Sequence, residues 1–300
     1  MSSPDLPAGL TTRPLVATDA RAVFELIAAQ ELADVGEVVI EEADIVSDWQ
    51  RPSFDLAAST TGVLDGDRLV GYAEFSGQDR GDAAVHPEAR GRGIGTWLAH
   101  RMQELARVHG ATAVGMPVPA GSSGDRLLEQ LGYRIRWTSW VLELPAGHTI
   151  AERPLPAGYE VRAAREDEHR ACWHVVEDAF LEWSVRERQS FEDFAAGVMR
   201  RPGFAPWQLR VVVDPTGAVV AVAIVFLGAA SAYVDRLATR KDERGRGLAQ
   251  ALLVDAFAVA REHGATRSEL STDSRTGALG LYEKVGMEVT STWVNRGIAL

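Results

Sequence analysis

The chain has 300 residues, 46% of them hydrophobic and 24% charged, which is the composition of a globular protein with one large or two ordinary domains. Its formal net charge of −11 argues against nucleic acid and against an anionic membrane as the main partner, because both bind basic surfaces. The single cysteine, Cys172, rules out a disulfide framework and a cysteine-rich zinc site, and we expect no bound metal.

The chain also lacks the marks of a membrane or exported protein. No apolar run has the length needed to span a bilayer, and the first residues, MSSPDLPAGLTT, lack the basic and apolar regions of a signal peptide. A cytoplasmic location is therefore expected. Cys172 lies in the periodic stretch ACWHVVEDAF, which favours a core residue over a nucleophile.

The first predicted elements are a short strand, an acidic turn and a helix within residues 11–27. A hairpin follows at 61–76, where Asp65-Gly66 separates two largely apolar runs. Another strand ends at an Arg-Gly-Arg-Gly turn, and a long amphipathic helix is predicted over 93–109, with Gly110 placed to end it. A strand, a second helix and a last strand complete this set.

The segment 144–160, LPAGHTIAERPLPAGYE, is a poor interior for a helix or a strand, because it contains three prolines and two glycines. After it the same order of elements begins again. A strand, an acidic turn and a helix are predicted within 159–176, and a hairpin within 209–228. The second long helix is predicted over 247–263.

The second half repeats the first at a spacing of 154 residues, so that Arg90 aligns with Arg244. RVHGAT at 107–112 then aligns with REHGAT at 261–266, and about fifteen of roughly 55 aligned positions are identical. We therefore predict two copies of one domain, each built on a mixed α/β sheet. The predicted domains are 1–148 and 149–300.

Each copy places its glycine turn between a strand and the start of a helix, which is an arrangement that binds phosphate. Glycines allow backbone N–H groups to approach a ligand closely, and the helix N-terminus supplies unpaired donors. The turn matches neither a Walker A loop nor a dinucleotide fingerprint. An ordinary tight turn with solvated arginines is the alternative, and an RNA-binding Arg-Gly tract is disfavoured because each turn runs into a helix.

RGRGIG at 90–95 and RGRGLA at 244–249 resemble the acetyl-CoA signature of the GCN5-related N-acetyltransferase (GNAT) family. TDSRTGALGLYEKVGM at 272–287 resembles the second part of that signature, in which a helix carries a tyrosine just before the final strand. The resemblance covers nearly the whole chain and is greatest to tandem members of the mycothiol synthase type. It implies two tandem GNAT-like acyltransferase domains of the α/β class, each with a mixed sheet that opens between its fourth and fifth strands. Acetyl-CoA would lie in that opening, with its pyrophosphate on the glycine turn.

In the second copy the resemblance assigns the fourth strand to residues 232–240. Its backbone at Leu237 and Thr239 would hold the pantetheine and polarise the acetyl carbonyl. A serine at 274 departs from the asparagine often found there in the family, which leaves its contact with the cofactor open. The residues implied to bind acetyl-CoA in this copy are Leu237, Ala238, Thr239, Arg244, Gly245, Arg246, Gly247, Leu248, Ala249 and Ser274.

The resemblance places the family's general acid at Tyr282, whose phenol would protonate the departing CoA thiolate. Asp235 is the candidate base for the attacking amine, and its spacing from Thr239 predicts that both side chains point to one face of the sheet. An ion pair between Asp235 and a neighbouring arginine is an equal alternative. The rivals for the base are Glu177, Asp178 and Glu182.

The first copy keeps the binding signature but not the proton donor. Leu128 occupies the position of Tyr282, and Ala120 occupies that of Ser274. We therefore expect this copy to be catalytically silent. The residues that the resemblance implies for acetyl-CoA in this copy are Val85, Arg90, Gly91, Arg92, Gly93, Ile94 and Gly95.

The acceptor is expected to be a primary amine of a small molecule, and the implied enzyme to be a monomer or a homodimer. Aromatic and acidic residues within 180–210 favour a pocket for a cationic acceptor, with core packing as the alternative for some of them. These residues are Phe180, Trp183, Phe191, Phe194, Phe204 and Trp207, with Glu182, Glu187, Glu192 and Asp193. A tandem acyl-CoA-binding sensor or scaffold without catalysis is the alternative function.

Overall fold

The computed structural model describes residues 4–228 and 230–300 and divides into two compact units. Unit 1 comprises the residues up to Thr138 together with Thr292–Leu300, and unit 2 comprises Ser139–Ser291. Unit 1 therefore includes the last residues of the chain, which follow the second half of the repeat. Unit 2 begins within the last strand of the first half. The predicted division into 1–148 and 149–300 describes the repeat, and it stays a prediction.

The two halves of the chain have nearly the same order of strands and helices, with three helices before the hairpin in the first half and two in the second. The strands are β1 (Thr11–Arg13), β2 (Thr60–Asp65), β3 (Arg68–Gly77), β4 (Arg80–Val85), β5 (Ala113–Pro119), β6 (Arg134–Glu143), β7 (Glu160–Ala163), β8 (Leu209–Val213), β9 (Val219–Leu227), β10 (Ser231–Thr239), β11 (Arg267–Asp273) and β12 (Glu288–Ala299). The helices are α1 (Ala20–Asp34), α2 (Glu42–Trp49), α3 (Leu56–Ser59), α4 (Ile94–Val108), α5 (Ser123–Gln130), α6 (His169–Phe180), α7 (Phe191–Gly197), α8 (Leu248–Glu262) and α9 (Leu279–Lys284).

Both units contain a mixed sheet, as the sequence predicts. In unit 1, β1 to β4 pair antiparallel in series, β5 runs parallel to β4, and the C-terminal part of β12 runs antiparallel to β5. Unit 2 repeats this order with β7 to β10, then β11, then the end of β6 antiparallel to β11. The predicted hairpins are confirmed, because β2 turns into β3 and β8 into β9 at the expected glycines.

The two long helices confirm the predicted boundaries to within one residue at each end. Each begins after a left-handed glycine, Gly93 with a φ of 85° and Gly247 with a φ of 82°. Gly110 and Gly264 follow the last turn with positive φ, as a C-terminal glycine should. The apolar stripe of each helix packs on its sheet, with Met102 in unit 1 and Phe257 in unit 2 almost inaccessible to solvent.

Helix α6 covers the other face of the sheet in unit 2. Cys172 is fully buried there among Val176, Phe194 and Leu209, and this burial raises the pKa of its thiol to about 12. The prediction that Cys172 is a core residue is confirmed.

The described part of the chain contains neither a membrane-spanning helix nor a cluster of metal ligands. None of its helices is both long and apolar enough to cross a lipid bilayer. Within residues 4–228 and 230–300, no three histidine, cysteine or acidic side chains are grouped as ligands for a metal ion.

Arg296 anchors the C-terminal strand in unit 1. Its side chain is only 5% exposed and forms ion pairs with Asp125 and Glu129 on α5, while Nη1 donates to the carbonyl of Tyr133. Removing one member of such a buried ion pair is costly, because the remaining charge keeps its desolvation penalty without the compensating attraction of its partner.

We expect Arg296→Ala to lower the free energy of unfolding of unit 1 by about 3 kcal/mol, since Asp125 then stays buried without its cation. Urea denaturation of the full chain, with hydrogen exchange followed in β5, measures this loss. The matched control is Arg134→Ala, which removes an exposed arginine of the same unit and should cost less than about 0.5 kcal/mol. Equal losses in the two variants would contradict the anchoring role.

Candidate active site

A cavity of about 740 Å³ opens in unit 2 where β10 and β11 separate. The two strands pair in parallel from Ser231↔Arg267 to Val234↔Leu270, and no pairing is seen beyond Val234. Both strands then line the cavity, together with the start of α8, the end of α6 and helix α9. Parallel strands that part in this way leave backbone groups of β10 without a neighbour on one side.

The backbone N–H of Thr239 points into this cavity. Thr239 lies opposite Ala221, and the next residue, Arg240, donates its N–H to the carbonyl of Val220 at 2.9 Å. Hydrogen-bonded and non-bonded pairs alternate along an antiparallel ladder, so the N–H of Thr239 faces away from β9. The N–H of Leu237, two residues earlier, faces the same way and gives the cavity two parallel donors.

The glycine turn closes the other end of the cavity. Gly245 and Gly247 have φ values of 78° and 82°, a left-handed conformation that strains any residue with a Cβ. Gly247 accepts the first helical hydrogen bond from Ala251, so the N–H groups of the first turn of α8 remain free of helical partners. The turn residues that line the cavity are Arg244, Gly245, Gly247, Leu248 and Ala249.

The two arginines of the turn have different surroundings. Arg244 forms a bidentate ion pair with Glu182 at 2.7 and 2.9 Å, and its Nε donates to the carbonyl of Thr239. Arg246 lies outside the cavity lining, where it contacts the hydroxyl of Tyr159 at 3.0 Å and the carboxylate of Glu243 at 3.4 Å. The structure therefore places Arg244, and not Arg246, on the cavity.

Arg153 is a cation at the glycine turn that the sequence analysis missed. A Cβ built on Gly247 would lie 3.4 Å from its Cδ, and Arg153 lines the cavity with an exposed side chain. Across residues 4–228 and 230–300 its guanidinium has no ion pair or hydrogen bond. The segment is held on α8 by Gln250, which donates to the carbonyl of Ala151 at 2.7 Å.

A second internal repeat points to Arg153. Leu-Pro-Ala-Gly occurs at 6–9, 144–147 and 155–158, and aligning the first copy with the last places Arg153 opposite Pro4. In unit 1 it is Pro7 that lies over the turn, with its Cγ 3.6 Å from a Cβ built on Gly93. Among the described residues, an unpaired cation therefore lies beside the turn of unit 2, where unit 1 has a proline.

Tyr282 lies on α9 with its ring against the core of unit 2 and lines the cavity. The residue is 8% exposed, and burial raises the pKa of its phenol to about 12. A phenol with this pKa stays protonated at every pH at which a protein normally works, so it can donate a proton.

Asp235 lies at a β-bulge, because the register of β10 against β9 shifts between Val234 and Arg236. A bulge interrupts the alternation of side chains, so the predicted shared face of Asp235 and Thr239 does not follow from their spacing. Both residues nevertheless line the same cavity. The carboxylate of Asp235 lies 3.3 Å from Nε of Arg236, so the ion pair offered as the alternative is present.

The rival carboxylates are all paired. Glu177 is buried, bonds to both Nη atoms of Arg186 at 2.7 and 2.8 Å, and lies outside the cavity lining. Asp178 pairs with Arg188 and also lies outside the lining. Glu182 lines the cavity but is held by Arg244, whose hydrogen bonds lower the pKa of the Glu182 carboxyl.

Core packing accounts for most of the aromatic residues in 180–210. Phe191, Phe194 and Phe204 belong to the core under α6, and Trp207 packs against the core beneath α8. Phe180 and Trp183 line the cavity, and Glu182 is the member of the predicted acidic rim that does so. The other residues named for the acceptor pocket do not line this cavity, and the core packing offered as the alternative describes the aromatic ones.

Ser274 does not line the cavity. Three neighbours do so instead: Thr272, Asp273 and Thr276. Asp273 is mostly buried and forms a bidentate contact with Arg275, whose guanidinium lies 4.9 Å from the ring centre of Trp183. These contacts fix the wall of the cavity opposite β10.

Unit 1 has a corresponding cavity of about 290 Å³. Strands β4 and β5 pair at Arg80↔Gly115 and then separate. Leu128 stands on α5 where Tyr282 stands on α9, and it is 4% exposed. The predicted residues that line this cavity are Val85, Arg90, Gly91, Gly93, Ile94 and Gly95, while Arg92 instead pairs with Asp65.

The model of the Acetyltransferase (GNAT) family matches this chain twice, over residues 23–133 and 161–287. A mycothiol acetyltransferase of Salinispora arenicola is 31% identical over 249 residues, which cover 76% of this chain and 77% of that protein. A mycothiol acetyltransferase of Salinispora tropica is 28% identical, over 83% of this chain and 82% of that protein.

Solved structures of this family are similar over nearly the whole chain. A GCN5-related N-acetyltransferase from Sphaerobacter thermophilus superposes with a TM-score of 0.75 at 29% identity, covering 98% of this chain and 97% of that chain. A tandem GNAT protein from the clavulanic acid biosynthesis pathway superposes with a TM-score of 0.72 at 21% identity, covering 97% and 98%.

We expect Arg153→Ala to weaken the binding of coenzyme A about tenfold, because a hydrogen bond from a charged donor contributes roughly 1.5 kcal/mol or more. Isothermal titration with coenzyme A measures the change, and the dependence of binding on salt should become shallower. Arg261→Ala is the matched control, since it removes an exposed arginine at the far end of α8. An equal effect of both substitutions would show that only net charge matters.

Proposed function

The chain belongs to the GNAT family of acetyltransferases, and from that premise we propose that unit 2 transfers an acetyl group from acetyl-CoA to the primary amine of a small acceptor. Members of this family use acetyl-CoA as the acyl donor. The observation that carries the proposal is the position of Tyr282, a buried, protonated phenol on the cavity that also holds the glycine turn and the open edge of β10.

The residues of the cavity fit acetyl-CoA along its length. The turn at Gly245 and Gly247 offers backbone donors for the pyrophosphate, and Arg153 adds a free cation beside it. The N–H groups of Leu237 and Thr239 have no neighbouring strand, so the bound cofactor can take the place of that strand and accept hydrogen bonds from both. Ala238, Leu248 and Ala249 complete the proposed contacts.

The chemistry proposed for the chain's own residues is a direct transfer. The N–H of Thr239 donates to the acetyl carbonyl oxygen, where negative charge develops as the amine nitrogen forms its bond to carbon. The amine attacks in its neutral form, so a cationic acceptor first gives one proton to solvent, and Asp235 takes the second proton, which the nitrogen loses as the amide forms. Tyr282 gives its proton to the sulfur as the carbon–sulfur bond breaks, and the proton held by Asp235 balances the one that Tyr282 recovers from solvent.

The acceptor site is proposed on the side of Asp235 and Trp183. The carboxylate and the aromatic ring at that end of the cavity suit an amine that arrives with a positive charge. The relatives are named mycothiol acetyltransferases, so we propose the amine precursor of mycothiol as the first acceptor to test.

Substituting each turn glycine separately identifies the working unit. We expect Gly247→Asp to abolish acetyl transfer, because the added carboxylate lies where the pyrophosphate binds, and Gly93→Asp to leave the rate within about twofold. Both glycines have nearly the same φ, so the two variants carry the same backbone strain. The measurement is the release of free CoA thiol from acetyl-CoA against a panel of primary amines.

The reverse result, loss of transfer with Gly93→Asp alone, would assign catalysis to unit 1 and overturn the proposal. Binding of acetyl-CoA by the wild type without turnover against any amine of the panel would favour the sensor or scaffold instead.

We expect Tyr282→Phe to lower kcat about 100-fold with little change in KM, because a general acid acts on the departing thiolate and not on bound acetyl-CoA. The pKa of about 12 predicts that the ratio of wild-type to variant kcat stays constant between pH 7 and pH 10. Tyr133→Phe, which alters a buried tyrosine of unit 1, is the matched control and should leave kcat unchanged. A ratio that falls to one above pH 9 would show that Tyr282 ionises at too low a pH to be the proton donor.

A further inference from the structure

The corresponding backbone donor in unit 1 is already occupied. Val85 lies opposite Gly71, and the N–H of the next residue, His86, bonds to the carbonyl of Val70 at 3.0 Å. The N–H of Val85 therefore faces the gap between β4 and β5, as that of Thr239 does in unit 2. It donates to Oε1 of Gln30, on α1, at 2.8 Å.

Ala179 is the counterpart of Gln30 in unit 2. Each first helix is preceded by a bidentate ion pair, between Arg13 and Asp19 in unit 1 and between Arg162 and Glu168 in unit 2. Counting along α1 and α6 from these acidic residues brings Gln30 into register with Ala179.

Gln30 and Ala179 each line the cavity of their own unit. A methyl group cannot reach or accept from a backbone donor, so the Thr239 N–H has no such partner from α6.

Several other features are common to the two sites, so they cannot explain why the two cavities differ in volume. The turn arginine is bound by a carboxylate in each unit, Arg90 by Asp34 at 2.8 Å and Arg244 by Glu182 at 2.7 Å. Both turns have left-handed glycines at the same positions. The cavity of unit 1 is nevertheless about 290 Å³, against about 740 Å³ in unit 2.

We propose that the side chain of Gln30 occupies the acyl-CoA site of unit 1 and closes it. Its carboxamide oxygen takes the place at the Val85 N–H that a pantetheine amide or an acyl carbonyl would occupy. The wild-type chain then binds one molecule of coenzyme A, in unit 2, and removing the Gln30 side chain opens a second site in unit 1. The inference rests on the proposed function only for the identity of the ligand.

The test measures coenzyme A binding in a background in which the unit 2 turn is blocked by Gly247→Asp. Isothermal titration should detect no coenzyme A binding in that background up to the highest concentration tested, and adding Gln30→Ala should create a site whose Kd lies at least tenfold below that concentration. Gln30→Glu is the matched control, because its carboxylate keeps an acceptor at the same reach and should leave the site closed. Gln30→Ser is a second opening variant if alanine lowers the thermal stability of unit 1.

Two results would overturn the proposal that Gln30 closes the site of unit 1. One is a site in the Gly247→Asp background that already exists with Gln30 intact and is lost on adding Gly93→Asp. The other is the absence of any new site in both folded opening variants. Because binding in unit 1 is read with the unit 2 turn blocked, failure of unit 2 to transfer acetyl groups leaves the result interpretable.

Discussion

Both sites depend on two parallel strands that pair briefly and then separate. In unit 2 the separation after Val234 leaves the N–H groups of Leu237 and Thr239 without a strand to receive them. A buried peptide N–H without an acceptor is costly, so the gap must be filled by a ligand, by water or by a side chain. The cavity, the position of the glycine turn at its end and the placement of Tyr282 on its wall all follow from this opening.

The two units meet that requirement differently on almost the same backbone. The turns, the ion pair at the turn and the long helix are common to both, whereas single side chains differ at aligned positions. Unit 1 has Gln30 where unit 2 has Ala179, and Leu128 where unit 2 has Tyr282. A small residue leaves room for a ligand, and a phenol supplies a proton that an alkyl chain cannot. Duplication therefore gave two similar frameworks, and a few side chains separate an open site from a filled one.

Unit 1 has a complete core although a leucine replaces the tyrosine of unit 2 at position 128. Leu128 packs with Met102 and Tyr133 under α4, so the apolar side chain contributes to the packing of this unit. The last residues of the chain complete its sheet along β5, and Arg296 secures them through the buried carboxylate of Asp125. Tyr282 likewise packs in the core of unit 2 and lines its cavity, so this helix position contributes to packing in both units and offers a hydroxyl in unit 2 alone.

The sequence by itself determined the duplication, the order of elements and the glycine turns, because helix periodicity and the need for glycine at positive φ are local properties. It also placed Tyr282 and Leu128 at equivalent positions. Only the tertiary structure decided that Asp235 lies at a bulge, since a register shift between strands leaves no local pattern. The same holds for the aromatic residues of 180–210, because a core and a pocket both require apolar side chains. Arg153 and Gln30 acquire their roles from backbone groups more than fifty residues away, and that approach exists only once the chain has folded.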